Sequence, residues 1–394
     1  MRLLIISNYF YPEIGAAPNR IYNLSKALVK DHTVEILAPL PNYPHGKIVP
    51  KYKGKLYNIE KFEGMKIFRY FIYPSKSRNV VLRILSMLSF SICLWASLFH
   101  IKKIKNIDAV IIQNSPLLVS FSGILLFKKI FKRKVVLNVS DLWPDSALDL
   151  GYVKEGRFYS MLKKIEAFNY KNSTAIAGQS NEILQHIKDM GFKQPTFLYR
   201  NLQPTTPNSK IQKHKEFSIV YAGLLGVAQG VFEILKHVNF DAIGVKFHIY
   251  GDGAEKEDIV AYIKSNNIKN VSYKGMVTKK ELTSILPKYH FALVPLTTHI
   301  KGAVPSKIFE LALSCVPIVF MGSGEPSVLI KENGLGYTVA PKAYTALNDL
   351  LKRVSEMENL EYNKLLNNCE TASIKQFNFE NQIKDFNTFL EKKI

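Results

Sequence analysis

The sequence alternates short apolar β-type runs with helical runs, and it does so twice. "RLLIIS" (2–7) has the composition of a buried strand, and a helix is predicted over about 19–30. "TVEILA" (33–38), "MKIFRYF", "DAVIIQN", "KVVLNVS", "TAIAGQS" and "TFLYRN" continue the series with helical segments between them. A polar, proline-containing stretch, "NLQPTTPNSKIQKHKE" (201–216), then interrupts it as a linker. The pattern restarts at "FSIVYAG" (217–223) and continues through "GVKFHIYGDG", "NVSYKGMV", "FALVPL" and "PIVFMG". Strand–helix alternation of this kind predicts parallel, doubly wound α/β sheets. The expected boundaries are a first domain at 1–200, the linker at 201–216, a second domain at 217–375, and a C-terminal helix at 376–394 packing back on the first domain. Ligands of such sheets bind at the C-terminal ends of the strands.

Charge is distributed unevenly between the halves. The chain carries +21 overall, of which residues 1–200 hold +17 and residues 201–394 hold +4. That asymmetry predicts an anionic partner for the first half, nucleic acid or a membrane surface. No recognised nucleic-acid motif is present. Residues 84–101, "ILSMLSFSICLWASLFHI", contain no Asp, Glu, Lys or Arg, and "KKIK" (102–105) and "FKKIFKRK" (127–134) supply bases. The stretch reaches only the lower limit for a membrane span and holds four serines and His100. A buried core helix and an interfacial helix on anionic lipid remain open. Three cysteines (Cys93, Cys315, Cys369) without metal spacing fit a reducing compartment, and the N-terminus lacks signal-peptide character.

Several strands run into glycine-bearing turns: Gly15 in "PEIGAAPNR", Gly223, Gly226 and Gly230 in "YAGLLGVAQG", Gly251 and Gly253 in "IYGDG", and "YKGMV" with Met276. Such turns let backbone N–H groups approach a phosphate, although none has the dinucleotide spacing. "VPSKIFELALSCVP" (304–317) opens a helix at Pro305. Ile308, Leu311, Ala312 and Cys315 form its apolar stripe, and Ser306, Lys307, Glu310 and Ser314 its polar face. Two readings are open for that face: a solvated Lys–Glu pair, or an anion site built from the helix start and Lys307.

The order and wording of these motifs resemble the family 4 retaining glycosyltransferases of GT-B fold. Within that family they are similar to bacterial O-antigen and capsule enzymes of the L-fucosamine-transferase (WbuB-like) kind. The resemblance rests on "NYFYPEIGAAPNRIYNLSKAL", "PNYPHGKI", "NVSDLWPDSALDLG", "YAGLLGVAQG", "IYGDG" and "VPSKIFELALSCVPIV". It implies two Rossmann-like domains facing a cleft. It also implies transfer of a sugar, an N-acetylamino sugar, from a UDP-sugar to a polyprenyl-diphosphate-linked saccharide acceptor, without metal or other cofactor. The place of action would be the cytoplasmic side, peripheral on the anionic inner membrane face.

Carried over position by position, Glu310 would accept from the ribose hydroxyls, and Lys307 would neutralise the leaving diphosphate. Gly223, Gly226, Gln229, Gly251, Gly253, Met276, Pro305 and Ser306 would complete the donor site. Asp141 is the candidate polar group near the reacting sugar, against a turn-forming role. Asp145 and Asp149 suit capping or surface positions. Gly15, Arg20 and His45 would serve the acceptor side, with Arg20 alternatively a solvated face residue. The sequence departs from the family where a first glutamate would stand and Gly302 is found. It departs again where basic residues are replaced by Leu224, Val227 and Gln229, and where a histidine gives way to Ser140 or Asp141. The alternatives are a nucleotide-sugar 2-epimerase of the same fold and a non-catalytic basic protein binding nucleic acid or membrane.

Overall fold

The computed structural model describes the whole chain except residues 44, 76–79, 102–105, 150, 152 and 205–211. The basic run at 102–105 and much of the expected linker therefore lie outside the described residues. Two compact units form. One comprises Met1–Asn201, Ile300–Ala303 and Glu380–Ile394, the other Leu202–His299 and Val304–Phe379.

The first unit is built on an eight-stranded sheet: β1 (Arg2–Ile6), β2 (Thr33–Pro39), β3 (Tyr57–Phe62), β4 (Met65–Tyr70), β5 (Ala109–Gln113), β6 (Lys134–Val139), β7 (Ala175–Gly178) and β8 (Thr196–Leu198), in the order β3-β4-β2-β1-β5-β6-β7-β8. All pairings are parallel except β3 with β4. That antiparallel edge strand was not expected. Its burial alternates exposed and part-buried, so its half-polar sequence carries no buried-strand signal. The central strands are apolar on both faces because both are covered: Leu4 and Ile5, Val110 and Ile111, and Val135 and Val136 point to opposite sides of the sheet and all are fully buried.

The second unit holds six parallel strands: β9 (Ser218–Leu224), β10 (Lys246–Asp252), β11 (Val271–Gly275), β12 (Phe291–Pro295), β13 (Ile318–Met321) and β14 (Gly336–Val339), in the order β11-β10-β9-β12-β13-β14. The chain reverses direction across the sheet between β9 and β12, where ligands of such sheets gather. β14 escaped the sequence reading because it is four residues long and opens on glycine.

The uncharged stretch forms a helix, Val80–Cys93, continued by a 3-10 segment, Leu94–Phe99. No helix among the described residues is long and apolar enough to cross a membrane. One side of the stretch is core: Phe90, Leu94 and Ser97 are fully buried. The other side exposes Leu85, Leu88, Ile92, Trp95 and Phe99, the last two at 36% and 86%. The spacing i, i+3, i+7, i+10, i+14 places these five on one stripe. The core reading therefore holds for one face of this element, and the other face is exposed apolar surface.

Candidate active site

The helix that opens the question of Lys307 is shorter than its sequence suggests. It spans Lys307–Leu313, with Ser306 at its N-cap and Pro305 before it. Two turns make a weak dipole, so local charge rests on side chains more than on the helix start. The expected polar face is also not a solvated one. Ser314 is 7% exposed, and its hydroxyl donates to the Glu310 carbonyl at 2.9 Å. Lys307 and Glu310 are part-buried and line a small cavity with Val220, Ala222, Leu286 and Leu293.

Lys307 turns toward the end of β9. A Cβ on Gly223 would lie 2.3 Å from its Nζ, 2.6 Å from its Cε and 3.2 Å from the Tyr221 hydroxyl. Only glycine leaves room for that ammonium. On its other flank Gly223 pairs with Gly251 of β10, where a Cβ would stand 1.8 Å from the Gly223 carbonyl oxygen. The next residues interlock: Leu225 N donates to the Asp252 carbonyl at 2.9 Å, and the Tyr221 hydroxyl donates to the Leu224 carbonyl at 2.5 Å. Gly253 packs against Leu225 in the same way, and Gly226 lies in the turn with the Gln229 amide oxygen beside it. Leu224, Val227 and Met276, at 63%, 77% and 76% exposure, project from this strand-end edge.

Burial pushes the Lys307 ammonium below the usual lysine range, and Glu310 pulls it back up. Burial pushes Glu310 above the usual carboxylate range, against Lys279, Lys307 and a hydrogen bond from Ser306. Lys279 is a residue the sequence reading missed. It opens the helix Lys279–Ile285, fixed by a capping box between Thr278 and Glu281, and its Nζ donates to Gln203 at 2.5 Å. The "TKKE" capping signature was visible, but its proximity to Glu310 was not.

In the first unit, Asp141 follows β6, is exposed, and accepts from the Ser140 hydroxyl at 3.2 Å. Arg20 is 5% exposed, which overturns the solvated-face reading. Its Nη1 donates to the Gln179 side chain, whereas Nε and Nη2 are buried without partners among the described residues. Burial lowers its pKa, and Asp141 and Tyr199 work against that shift. Gly15 caps the helix Ala16–Leu28, and His45 is exposed in its loop.

Asp145 is not a plain capping or surface residue. It accepts from the Tyr159 hydroxyl at 2.8 Å and pairs with Lys163 at 3.0 Å. Gly302, where the family pattern would put glutamate, has φ +79°, and a Cβ there would meet Ile183 at 2.7 Å. Its N–H donates to Glu182 at 2.7 Å and its carbonyl accepts from Ser180 at 2.8 Å. A glutamate side chain does not fit that backbone. Among the described residues no group of three or more His, Cys, Asp or Glu could hold a metal ion.

Residues 203–376, nearly the whole second unit, match the family model described as Glycosyl transferases group 1. The chain thus carries a glycosyltransferase group 1 domain, and the protein is a glycosyltransferase built from two Rossmann-like parallel-sheet domains of the GT-B type. Solved structures share this fold along their full length. Sucrose-phosphate synthase from Thermosynechococcus elongatus superposes with a TM-score of 0.74 at 14% identity, covering 99% of this chain and 98% of that one. HepE from Anabaena, in complex with UDP and glucose, gives 0.68 at 11% identity and 100% of both chains. WaaG, a glycosyltransferase involved in lipopolysaccharide biosynthesis, gives 0.64 at 12% identity, covering 98% and 99%. No curated protein matches at the level of sequence.

The close approach of Lys307 to Gly223 yields a direct test. Gly223→Ala adds one methyl against the flexible end of a lysine, so the fold is expected to survive and the ammonium to move. The variant should keep its Tm within a few degrees and lose at least about tenfold in kcat, since small misplacements of charge cost much in catalysis. Unchanged kcat would mean that the position of Lys307 over Gly223 has no part in turnover.

Proposed function

We propose that the protein moves a sugar, an N-acetylamino sugar, from a UDP-sugar to a polyprenyl-diphosphate-linked saccharide, with retention, in bacterial surface polysaccharide assembly. The observation that carries this is the part-buried Lys307 ammonium seated over Gly223 at the end of β9, with Glu310 one turn along the same helix. As the glycosidic bond breaks, charge builds on the leaving phosphate oxygen, and a preplaced ammonium stabilises it. Lys307 takes that role. Glu310, as a carboxylate, accepts from the ribose hydroxyls. The glycine edge at Gly223, Gly226, Gly251 and Gly253 admits the diphosphate, while Gln229, Met276, Pro305 and Ser306 complete the donor site. Asp141 stands for the reacting sugar, and Gly15, Arg20 and His45 for the acceptor. The reaction as proposed requires no metal. The bound UDP of HepE and the lipopolysaccharide role of WaaG are consistent with this reading.

A ligand that binds only the folded state raises its stability by RT ln(1 + [L]/Kd). At one hundred times Kd, UDP should add about 2.7 kcal/mol, several degrees in Tm. A Tm indifferent to millimolar UDP would remove the donor assignment.

The membrane is the second part of the proposal. The stripe of Leu85, Leu88, Ile92, Trp95 and Phe99 suits the acyl–headgroup boundary of an anionic bilayer, and the first unit holds most of the net charge. Not every base at 127–134 is free to help. Lys128 donates to Thr174 at 2.8 Å, Arg133 to the Phe131 carbonyl at 2.8 Å, and Lys134 to the Ile394 carbonyl. Lys129 and Lys132 are exposed. Each base near such a surface is worth on the order of 1 kcal/mol. Lys129→Ser with Lys132→Asn should weaken sedimentation with phosphatidylserine vesicles in a salt-dependent way, and Ile92→Ser with Phe99→Ser should weaken it at every salt concentration. Wild-type protein that stays in the supernatant at physiological salt would end the docking claim.

A further inference from the structure

The polar stretch ahead of β9 has the composition of a linker, yet one of its side chains folds inward. Lys213 is part-buried, and its Nζ donates to the Tyr289 carbonyl at 2.9 Å and, more weakly, to the Cys315 carbonyl at 3.4 Å. Three elements bring titratable groups to it: Cys315 lies just past the helix of Lys307, Cys369 and Glu370 lie on the helix Asn359–Lys375, and His290 lies ahead of β12. Lys213 acts on the two thiols and on His290, while Glu370 acts on Cys315. Among the described residues no carboxylate counters the effect of burial on Lys213 itself, and only the two thiols oppose it. Burial brings its pKa down to about 8.

A neutral amine keeps two N–H groups, one fewer than an ammonium, and the two carbonyls take both. The lone pair is left on the remaining side of the nitrogen. Lys213 walls a cavity of about 150 Å³ together with Pro287, Ser314, Cys315, Asn367 and Glu370. A cavity of about that volume admits benzene, so a short acyl group fits. The thiols nearby compete poorly with the amine. Cys315 is 3% exposed and Cys369 fully buried, and burial pushes both upward, Cys369 to about 12. The nucleophilic form of cysteine is the thiolate, which such surroundings suppress.

We propose that Lys213 is an acylation site, whose amine takes a short acyl group from an acyl phosphate or an acyl thioester. The nitrogen lone pair attacks the carbonyl carbon and a C–N bond forms. The C–O bond to phosphate, or the C–S bond to the thiol, breaks, and the leaving group keeps the electron pair. The nitrogen gives one proton to water. The amide product has a single N–H, so one of the two carbonyl contacts is given up beside the end of the helix that carries Lys307 and Glu310. Lys213 belongs to neither the donor nor the acceptor residues assigned above, so the site stands whichever sugar is moved.

The test incubates full-length protein with acetyl phosphate and, separately, with the acetyl thioester of N-acetylcysteamine, in each case with Nα-acetyllysine amide as internal reference. Mass spectrometry after cleavage at glutamate reads the acetyl group on Lys213 from about pH 6 to about pH 10, a span that brackets pKa 8 and the ordinary lysine value of about 10.4. At about pH 7.5 the neutral fraction favours Lys213 over the reference by about two hundredfold. Lower basicity and a narrower approach take part of that back, so labelling at least about tenfold faster than the reference is expected with one donor or both. Labelling by one donor alone would identify the source of the acyl group. The Lys213 rate should level off above about pH 8 while the reference goes on climbing. Cys315→Ser should keep the label, because the amine attacks directly. Labelling no faster than the reference with either donor, a rate that climbs in parallel with the reference, or loss of the label in Cys315→Ser would each overturn the site.

Discussion

Replacing Lys307 with alanine is expected to lower kcat by about 10²- to 10³-fold, the range found when one preorganised charge-stabilising group is removed. KM for the donor should move much less. In the proposed site the ammonium meets a diphosphate in the ground state, but the charge it would face grows as the sugar leaves, and only that increment lowers the barrier. The apolar surroundings of Lys307, which depress its pKa, also strengthen its field. Lys307→Arg should recover little, because Gly223 leaves space for an ammonium and not for a planar fork. A change confined to KM would make the lysine a binding residue only. No change in either constant would leave the Lys307–Glu310 pair a part-buried structural pair with no part in turnover.

Glu310→Ala should produce the second large effect, in donor KM. Losing one charged hydrogen-bond acceptor for the ribose is worth about 1.5–3 kcal/mol, or roughly 10- to 150-fold. The fold should hold, since the carboxylate is itself raised in pKa by burial and its loss relieves that strain. The same shift gives a pH signature. A raised pKa means that Glu310 takes up its proton at a higher pH than an ordinary glutamate, and the protonated form is the weaker acceptor. Donor KM of the wild type should therefore climb as pH falls through that raised value. Glu310→Gln should have a high KM with no such climb. Donor KM equal to wild type in Glu310→Ala would break the ribose assignment.

Much of this architecture was legible from the sequence because it follows from periodicity. Buried parallel strands are continuous apolar runs, and the bounds of each of those singled out lie within three residues of an observed strand. The elements that were missed lack that signal: β3 alternates on a polar edge, and β14 is short and begins at Gly336. For the helix after β1, observed at Ala16–Leu28, the sequence placed the start three residues late. The glycine turn and Pro18 mark the first turn more faithfully than the apolar stripe does.

Site residues divide along a different line. Residue type and strand-end position could be read from sequence, so Gly223, Lys307 and Glu310 were named, and the fold sets Lys307 against Gly223 and lines one cavity with Lys307 and Glu310. What sequence does not carry is which side chains fold against each other. Arg20 has the helix position of a surface residue, yet its guanidinium is buried against Gln179. Asp145 has the place of a cap, yet it joins Tyr159 and Lys163 in a part-buried ionic cluster with the buried Glu166. Lys279 and Gln203 are 76 residues apart and meet only in the folded unit. Gly302 is the reverse case. Its departure from the family pattern was plain, and its positive φ explains why the position takes no larger residue.

The central claim is that this protein breaks the bond between a sugar and a nucleoside diphosphate and keeps the sugar's configuration. The most direct measurement is proton NMR of the protein incubated with a panel of UDP-sugars, first alone and then with a polyprenyl-diphosphate-linked saccharide. At least one donor should release UDP slowly on its own and faster with the acceptor, and the anomeric proton of the transferred sugar should show the donor's configuration. A panel in which no donor yields UDP would contradict the claim. So would the appearance of a 2-epimeric sugar from the donor without any transfer, which would assign the chain to the epimerases of the same fold.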